Sequence, residues 1–441
     1  MNQTKQQYVF GIIIIGVLYF VFGFVTWLNG TLIPFLKTAC QLSDFLAYFV
    51  TFAFYISYFV MALPSSSILE KIGFKNGIAA GLFIMAIGSA LFIPAAFMRS
   101  YILFLLGLFI LGSGLALMQT AVNPYVTILG PIESAAKRIS IMGICNKIAG
   151  ILAPLILATF VLSGTEEISR EIGMSISSDR INTLLDTMAL RLVNPYIAMT
   201  VVLLLLGFLI RFTHLPEIDK GEVKDKKTGK SIWQFPYMWM GVIALFFYVG
   251  VEVIAGDTVI QYGKSLGVGI ESAKYYTSLT LIAMVIGYFI GVALIPKVIS
   301  QRQALIGCAV IGIIFVICAL SVSSEAQFQF PFIDITTFRP ITMVIPYTVF
   351  FITLLGLANS LVWPSIWPLA LDGLEDHTKK ASALLIMAIA GGAILPLLYG
   401  RLADMSNTQQ AYWIAIPCYI VILFFSVYGY KIGKKKHLNN F

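Results

Sequence analysis

Long apolar runs separated by short polar breaks set the rhythm of this chain. They predict twelve membrane-spanning helices, near 8–33, 45–66, 77–97, 100–125, 139–163, 193–212, 236–258, 275–296, 303–323, 341–367, 381–399 and 411–430. A run of about 20 apolar residues is the length of a bilayer-crossing helix, whereas barrel strands alternate over about ten. Two segments interrupt the rhythm. Residues 163–191 form a polar excursion holding Glu166, Glu167, Arg170, Glu171, Asp179 and Arg180. Residues 216–230 pack nine charges into fifteen positions with no apolar face, the pattern of a solvated linker. The expected organisation is a six-helix half at 1–213, a charged linker at 214–232 and a second six-helix half at 233–441.

Composition narrows the class. Of 441 residues, 59% are hydrophobic and only 11% charged, against roughly 25% charged in soluble domains. A soluble enzyme, a nucleic-acid-binding domain and an outer-membrane barrel are all excluded, and the net charge of +8 implies no nucleic-acid partner. Five cysteines stand singly, mostly inside apolar runs, which suits small core residues rather than a disulfide framework or a metal site. The first apolar run has no small-residue cleavage site after it and is expected to remain as a span.

Charge placement sets the expected orientation. Assigning the two termini and the even loops to one side collects 20 of the 29 Lys and Arg, including Lys71, Lys75, Lys137, Arg138 and Lys434 to Lys436. The positive-inside rule then puts both termini and the linker in the cytoplasm. The halves also echo one another. Ile148-Ala149-Gly150 with Pro154 in the fifth span matches Ile389-Ala390-Gly391 with Pro396 in the eleventh. Basic turns at 68–75 and 294–302 fall at corresponding places. Parallel repeats of six spans are the plan of many secondary transporters.

Few residues inside the spans are costly to bury. Lys147 lies nine residues beyond Arg138, about 13 Å along a helix. Glu252 is similarly deep in the seventh span, and Asp257 follows nearer its outer end. Intramembrane charges generally face cavities, so Lys147 and Glu252 read as coupling groups. The plainer alternative is a fixed inter-helix ion pair. Neutral polar groups form a second set: Trp27 and Asn29 in the first span, Gln119 and Asn123 in the fourth, Asn146 in the fifth, and Asn359, Ser360, Trp363 and Trp367 in the tenth. Amides donate and accept, and indole faces stack on the C–H surface of a sugar. Together they suit an uncharged polyhydroxylated ligand, although such residues also glue helices together. Catalytic motifs are missing: there is no HExxH, GxSxG or phosphate loop, and the three histidines fall at helix ends or loops. No catalytic residue, metal site or cofactor is expected.

These residues carry a resemblance. Leu28-Asn29-Gly30-Thr31-Leu32-Ile33-Pro34, the segment from Gln119 to Pro131, and Tyr248-Val249-Gly250-Val251-Glu252 resemble the fucose–galactose–glucose symporter branch of the major facilitator superfamily. The likeness runs over most of the chain. It implies uptake of a neutral hexose across the bacterial inner membrane by alternating access, coupled to H⁺ or Na⁺, by a monomeric carrier. The amide and indole chemistry above makes Trp27, Asn29, Gln119, Asn123, Asn146 and Trp363 the expected sugar contacts, and the resemblance implies ligand contact at the positions of Asn146 and Trp363. In the fucose symporters a proton-handling Asp stands at the position of Gly30, and a Glu at that of Gln119. Neither carboxylate is present here. Gln at the second position is familiar from glucose/galactose members, which favours that substrate type. Lys147, where the family has a small polar residue, and Glu252 are then the expected coupling groups. Fucose or N-acetylhexosamine import and sugar uniport are the near alternatives. An efflux carrier for amphipathic compounds is the distant one; it predicts indifference to changes at Gln119 or Asn146.

Overall fold

The computed structural model describes residues 5–128, 135–161, 165–174, 177–213, 232–334, 338–374 and 377–433. Among these are twelve helical segments long and apolar enough to cross a bilayer. They are Gly11–Ala39, Asp44–Ile72, Phe74–Phe97, Tyr101–Val122, Ile141–Val161, Ser178–Phe212, Pro236–Asp257, Tyr276–Leu294, Gln301–Ser321, Tyr347–Leu371, Lys380–Met405 and Gln410–Lys431, here called spans 1 to 12. The protein is a multi-pass, all-α membrane protein, as the apolar runs predict. In hydrocarbon a helix is the form that satisfies every backbone N–H and C=O within one segment. Leu205, Phe208 and Phe212 of span 6, with Ile102, Phe160 and Ile314, are exposed and suit contact with lipid tails. Only 22% of the most apolar stretch of span 6 is buried, against 61% in spans 4, 7, 10 and 11. Those four therefore hold the interior.

The packing repeats. In the first six spans, 3 packs on 4, 2 on 4, 3 on 6 and 1 on 5. Six spans later the same partners recur: 9 on 10, 8 on 10, 9 on 12 and 7 on 11. Between the two sets, span 5 packs on span 8 and span 2 on span 11, a reciprocal pair that a two-fold relation requires. The intervening linker at 214–231 lies outside the described residues, and the chain resumes at the short turn Ile232–Gln234. Pro236 then starts span 7 at a position where its fixed φ suits a first helical turn.

Three local features differ from the sequence expectation. The polar excursion contains helices Thr165–Met174 and Ser178–Leu190, the second burying Leu184, Leu185, Met188 and Ala189 and forming the first part of span 6, which Val193–Phe212 continues. Before span 10 the chain forms an antiparallel hairpin of β1 (Gln327–Ile333) and β2 (Pro340–Pro346), with Gln327 opposite Pro346. Span 10 accordingly begins at Tyr347 rather than 341. The Tyr276 hydroxyl donates to the Val344 carbonyl at 2.6 Å, seating the hairpin over the start of span 8. With an even number of spans, this hairpin lies at the end of the bundle opposite the two termini, called the distal end below.

Candidate functional site

The chain is interrupted within span 1 and at the end of span 7. Span 1 breaks at Trp27-Leu28, between helices Lys5–Thr26 and Asn29–Ala39; span 7, Pro236–Asp257, is parted at Thr258 from the short helix Val259–Ser265. A threonine marks each break. Thr26 Oγ1 donates to the Phe22 carbonyl at 2.8 Å and Thr258 Oγ1 to the Ile254 carbonyl at 2.7 Å, a back-bonding that bends helices. Carbonyls at the second break are met from span 8: Thr277 Oγ1 donates to Gly256 at 2.6 Å and Thr280 Oγ1 to Ala255 at 3.3 Å. Irregular backbone at membrane depth needs such partners.

An ion pair lies beside the break in span 1. Lys147 Nζ of span 5 lies 2.9 Å from Glu252 Oε1 of span 7, the side chains only 10% and 13% exposed. The same ammonium sits 4.7 Å above the Trp27 ring. That indole, itself buried, is slotted between Gly150 and Gly256, whose missing Cβ atoms leave it room. Asn146, beside Lys147, donates from Nδ2 to the Tyr19 carbonyl at 3.4 Å, and Gly23 of span 1 lets the two backbones come this close. Spans 1, 5 and 7 are thus locked around one buried charge pair.

The neutral candidates enter in two ways. Trp363 joins an aromatic wall with Trp367 and Tyr248, at centroid distances of 5.5 and 6.4 Å. Tyr248 lies one helical turn before Glu252, so Trp363 connects through it to the ion pair. Asn29 and Gln119 enter instead as buried amides. Among the described residues, neither polar atom of the Asn29 side chain has a hydrogen-bond partner, nor does Gln119 Oε1. Asn123 lies on helix Tyr101–Ile128, but its side chain is outside the described residues.

Three residues named from the sequence gain weight at this level. Asn359 accepts from the Tyr419 hydroxyl at 2.8 Å and keeps its Nδ2 unmet. Trp367 likewise buries an unmet Nε1. Asp257 is fully enclosed, with neither carboxylate oxygen hydrogen-bonded. Gly30 lies directly against it: a Cβ there would stand 3.6 Å from Asp257 Cα and 2.8 Å from Thr277 Oγ1. Their residue types are legible in the sequence, whereas which of their polar atoms is left unmet depends on packing. Among the described residues no group of three or more His, Cys, Asp or Glu could hold a metal ion.

The distal end is closed between the two sets of spans. Asp404 of span 11 accepts from the backbone N–H of Asp44 at 3.1 Å and of Phe45 at 3.0 Å, at the start of span 2. Asp44 also pairs with Lys37 at 2.7 Å and accepts from Gln261 Nε2 at 3.3 Å. Beneath these contacts the Tyr48 and Tyr399 rings meet edge to face at 5.5 Å.

Two repeated sets of six helices, with buried charge between them, define a membrane carrier. Residues 15–395 match the Major Facilitator Superfamily, and the chain belongs to that transporter family. A glucose/galactose transporter of Brucella abortus biovar 1 (strain 9-941) is 33% identical, over 98% of this chain and 96% of its own length. The L-fucose-proton symporter of Escherichia coli K12 is 28% identical, over 96% and 93%. Among solved structures, the Major Facilitator Superfamily transporter FucP in its outward conformation superposes with a TM-score of 0.71 at 27% identity, covering 96% of this chain and 99% of that one.

Proposed function

We propose that this protein imports a neutral hexose of the glucose or galactose type, coupled to a cation, by alternating access. The observation that carries the reading is the set of buried amides with unmet hydrogen-bonding groups, Asn29, Gln119 and Asn359, on spans 1, 4 and 10. In a bilayer such groups are costly unless something polar meets them. A hydroxyl-rich ligand supplies both donors and acceptors. The names of the relatives, glucose/galactose transporter and L-fucose-proton symporter, support the same ligand class.

In this reading Asn29, Gln119, Asn123 and Asn146 bond the sugar hydroxyls, and Trp27 and Trp363 stack on its apolar face. Trp27 is packed under Lys147 in the present conformation and becomes accessible as the halves part. The halves are 1–213 and 233–441, rocking about the centre, with the linker and both termini in the cytoplasm of a bacterial cell and the carrier monomeric in the inner membrane. Lys147 and Glu252 couple the halves: their pair holds them together in this state and must open in another. A bistable contact of this kind is what a ligand or ion can bias.

The test is labelled-glucose uptake into proteoliposomes under separate pH and Na⁺ gradients, with galactose, fucose and N-acetylglucosamine as competitors. Uphill accumulation driven by either gradient supports symport and names the ion. Equilibration without accumulation makes the protein a uniporter. An absence of sugar flux, with no competitor having an effect, overturns the reading.

A further inference from the structure

Span 7 carries a second buried carboxylate that the ion pair does not use. Asp257 is enclosed on every side, and neither of its oxygens has a hydrogen-bond partner. Its neighbours are already committed. The Thr277 hydroxyl is spent on the Gly256 carbonyl, and the Thr258 hydroxyl is shared between Ile254 and the Tyr412 hydroxyl, 2.7 Å away. From span 1, Gly30 presents backbone alone to the carboxyl.

The titratable groups that face Asp257 are Glu252 on its own helix and Tyr48 and Tyr55 of span 2. Span 8 offers Thr277, and span 12 offers Tyr412 through Thr258. Glu252 stands five residues earlier, about 7.5 Å along the helix axis, and its charge is answered by Lys147. Asp257 has no such answer. An ionised carboxylate enclosed without a partner bears the full cost of desolvation, which the neutral acid escapes.

Position along the helix adds a second, independent argument. Four residues beyond Asp257, Gln261 donates to Asp44 in the distal closure. Asp257 therefore lies between that closure and the ion pair, at a break in the helix where the backbone can move. Parting of the distal contacts brings water to Asp257 before it reaches Lys147 and Glu252.

We propose that Asp257 is a proton-carrying site of this transporter, resting on the transport reading above. A proton from water on one side binds a carboxylate oxygen, is enclosed as the neutral acid while the distal end is shut, and returns to water on the other side. One proton is carried and no bond other than O–H is made or broken. Lys147 and Glu252 then supply a neutral latch between the halves, and Asp257 supplies the change of charge.

Two measurements test this. Proteoliposomes holding the wild type or Asp257→Asn are assayed for exchange of labelled against unlabelled glucose, and for accumulation under an inward proton gradient. The expected result is that Asp257→Asn loses accumulation far more than it loses exchange, its final ratio falling to equilibration. Retained uphill accumulation by Asp257→Asn overturns the proposal. A wild type that exchanges sugar but accumulates it only under a Na⁺ gradient also overturns it, and leaves the transport reading standing. A wild type that exchanges neither glucose nor any competing hexose overturns both. The second measurement needs no variant: the intact protein is treated near neutral pH with a hydrophobic carbodiimide, which reacts with carboxylic acids rather than carboxylates. Mass spectrometry should find the adduct on Asp257. Labelling of Glu252 without Asp257, or no adduct at all, overturns the proposal even where the Asn variant does not fold.

Discussion

Lys147 Nζ and Glu252 Oε1 stand 2.9 Å apart and tie span 5 to span 7, across the boundary between the first six spans and the last six. The Trp27 indole face below the ammonium adds a cation–π contact, worth about 0.5–2 kcal/mol. Breaking such a buried pair from one side leaves an unanswered charge and costs about 3–5 kcal/mol, whereas replacing both partners with apolar residues is often neutral. Lys147→Met and Glu252→Gln should each lower the thermal unfolding midpoint in detergent, and the double variant Lys147→Met with Glu252→Leu should recover most of the loss. In transport, Glu252→Gln should slow exchange and accumulation alike, as loss of a latch between the halves requires. Equal and additive losses of stability would show that the two residues do not act as a pair.

Asp404 bears on the balance between conformations. Its two oxygens take the Asp44 and Phe45 N–H groups, and hydrogen bonds to a charged group contribute about 1.5–3 kcal/mol each. Asp404→Asn keeps one acceptor and removes the charge. Loss of about 1.4 kcal/mol changes the closed-to-open ratio tenfold. Cys40, which follows span 1 at this end, can report the change. Burial pushes its thiol up to about 11, with Arg99 acting weakly in the other direction. Only the thiolate reacts, so maleimide labelling of wild-type Cys40 should be slow at neutral pH and climb as pH rises toward 11. In Asp404→Asn the neutral-pH rate should increase several-fold. An unchanged rate would mean that the cap does not hold the distal end shut.

The slot for Trp27 is set by two glycines. A Cβ on Gly256 would meet the indole at Cζ3, and one on Gly150 would meet it at Cδ1. Gly256→Ala should therefore destabilise the protein by about 1–3 kcal/mol, the usual cost of overpacking. Adding Trp27→Leu should relieve part of that loss. Thermal unfolding of the two variants measures it, and no relief in the double variant would show that the strain lies elsewhere.

Gln119 separates stability from binding. Its Oε1 is buried and unmet, so an apolar residue of similar size removes a cost in the empty protein. Gln119→Leu should keep or raise thermal stability while raising the glucose KM by about tenfold, the worth of one hydrogen bond of about 1.4 kcal/mol. An unchanged KM would favour an apolar cargo, which is what the efflux reading expects.

The twelve spans could be read along the chain because each is an uninterrupted apolar run long enough for a bilayer, a property of local composition. Lys147 and Glu252 stood out for the same reason: a charge deep in such a run is rare and costly. The hairpin is hard to read along the chain although Gln327-Phe328-Gln329-Phe330 alternates with the period of a strand, because short alternation beside long apolar runs merges with the neighbouring span. Asp257 illustrates the deeper limit. Counted along its helix it sits near an end, where snorkelling to water is cheap, yet it is fully buried because Gly30, Thr277 and span 2 close over it. Depth along one helix is written in the sequence. Which charge is answered and which is left alone depends on helices brought together from far apart in the chain, and only the packed bundle decided that Lys147 faces Glu252 while Asp257 faces no cation among the described residues.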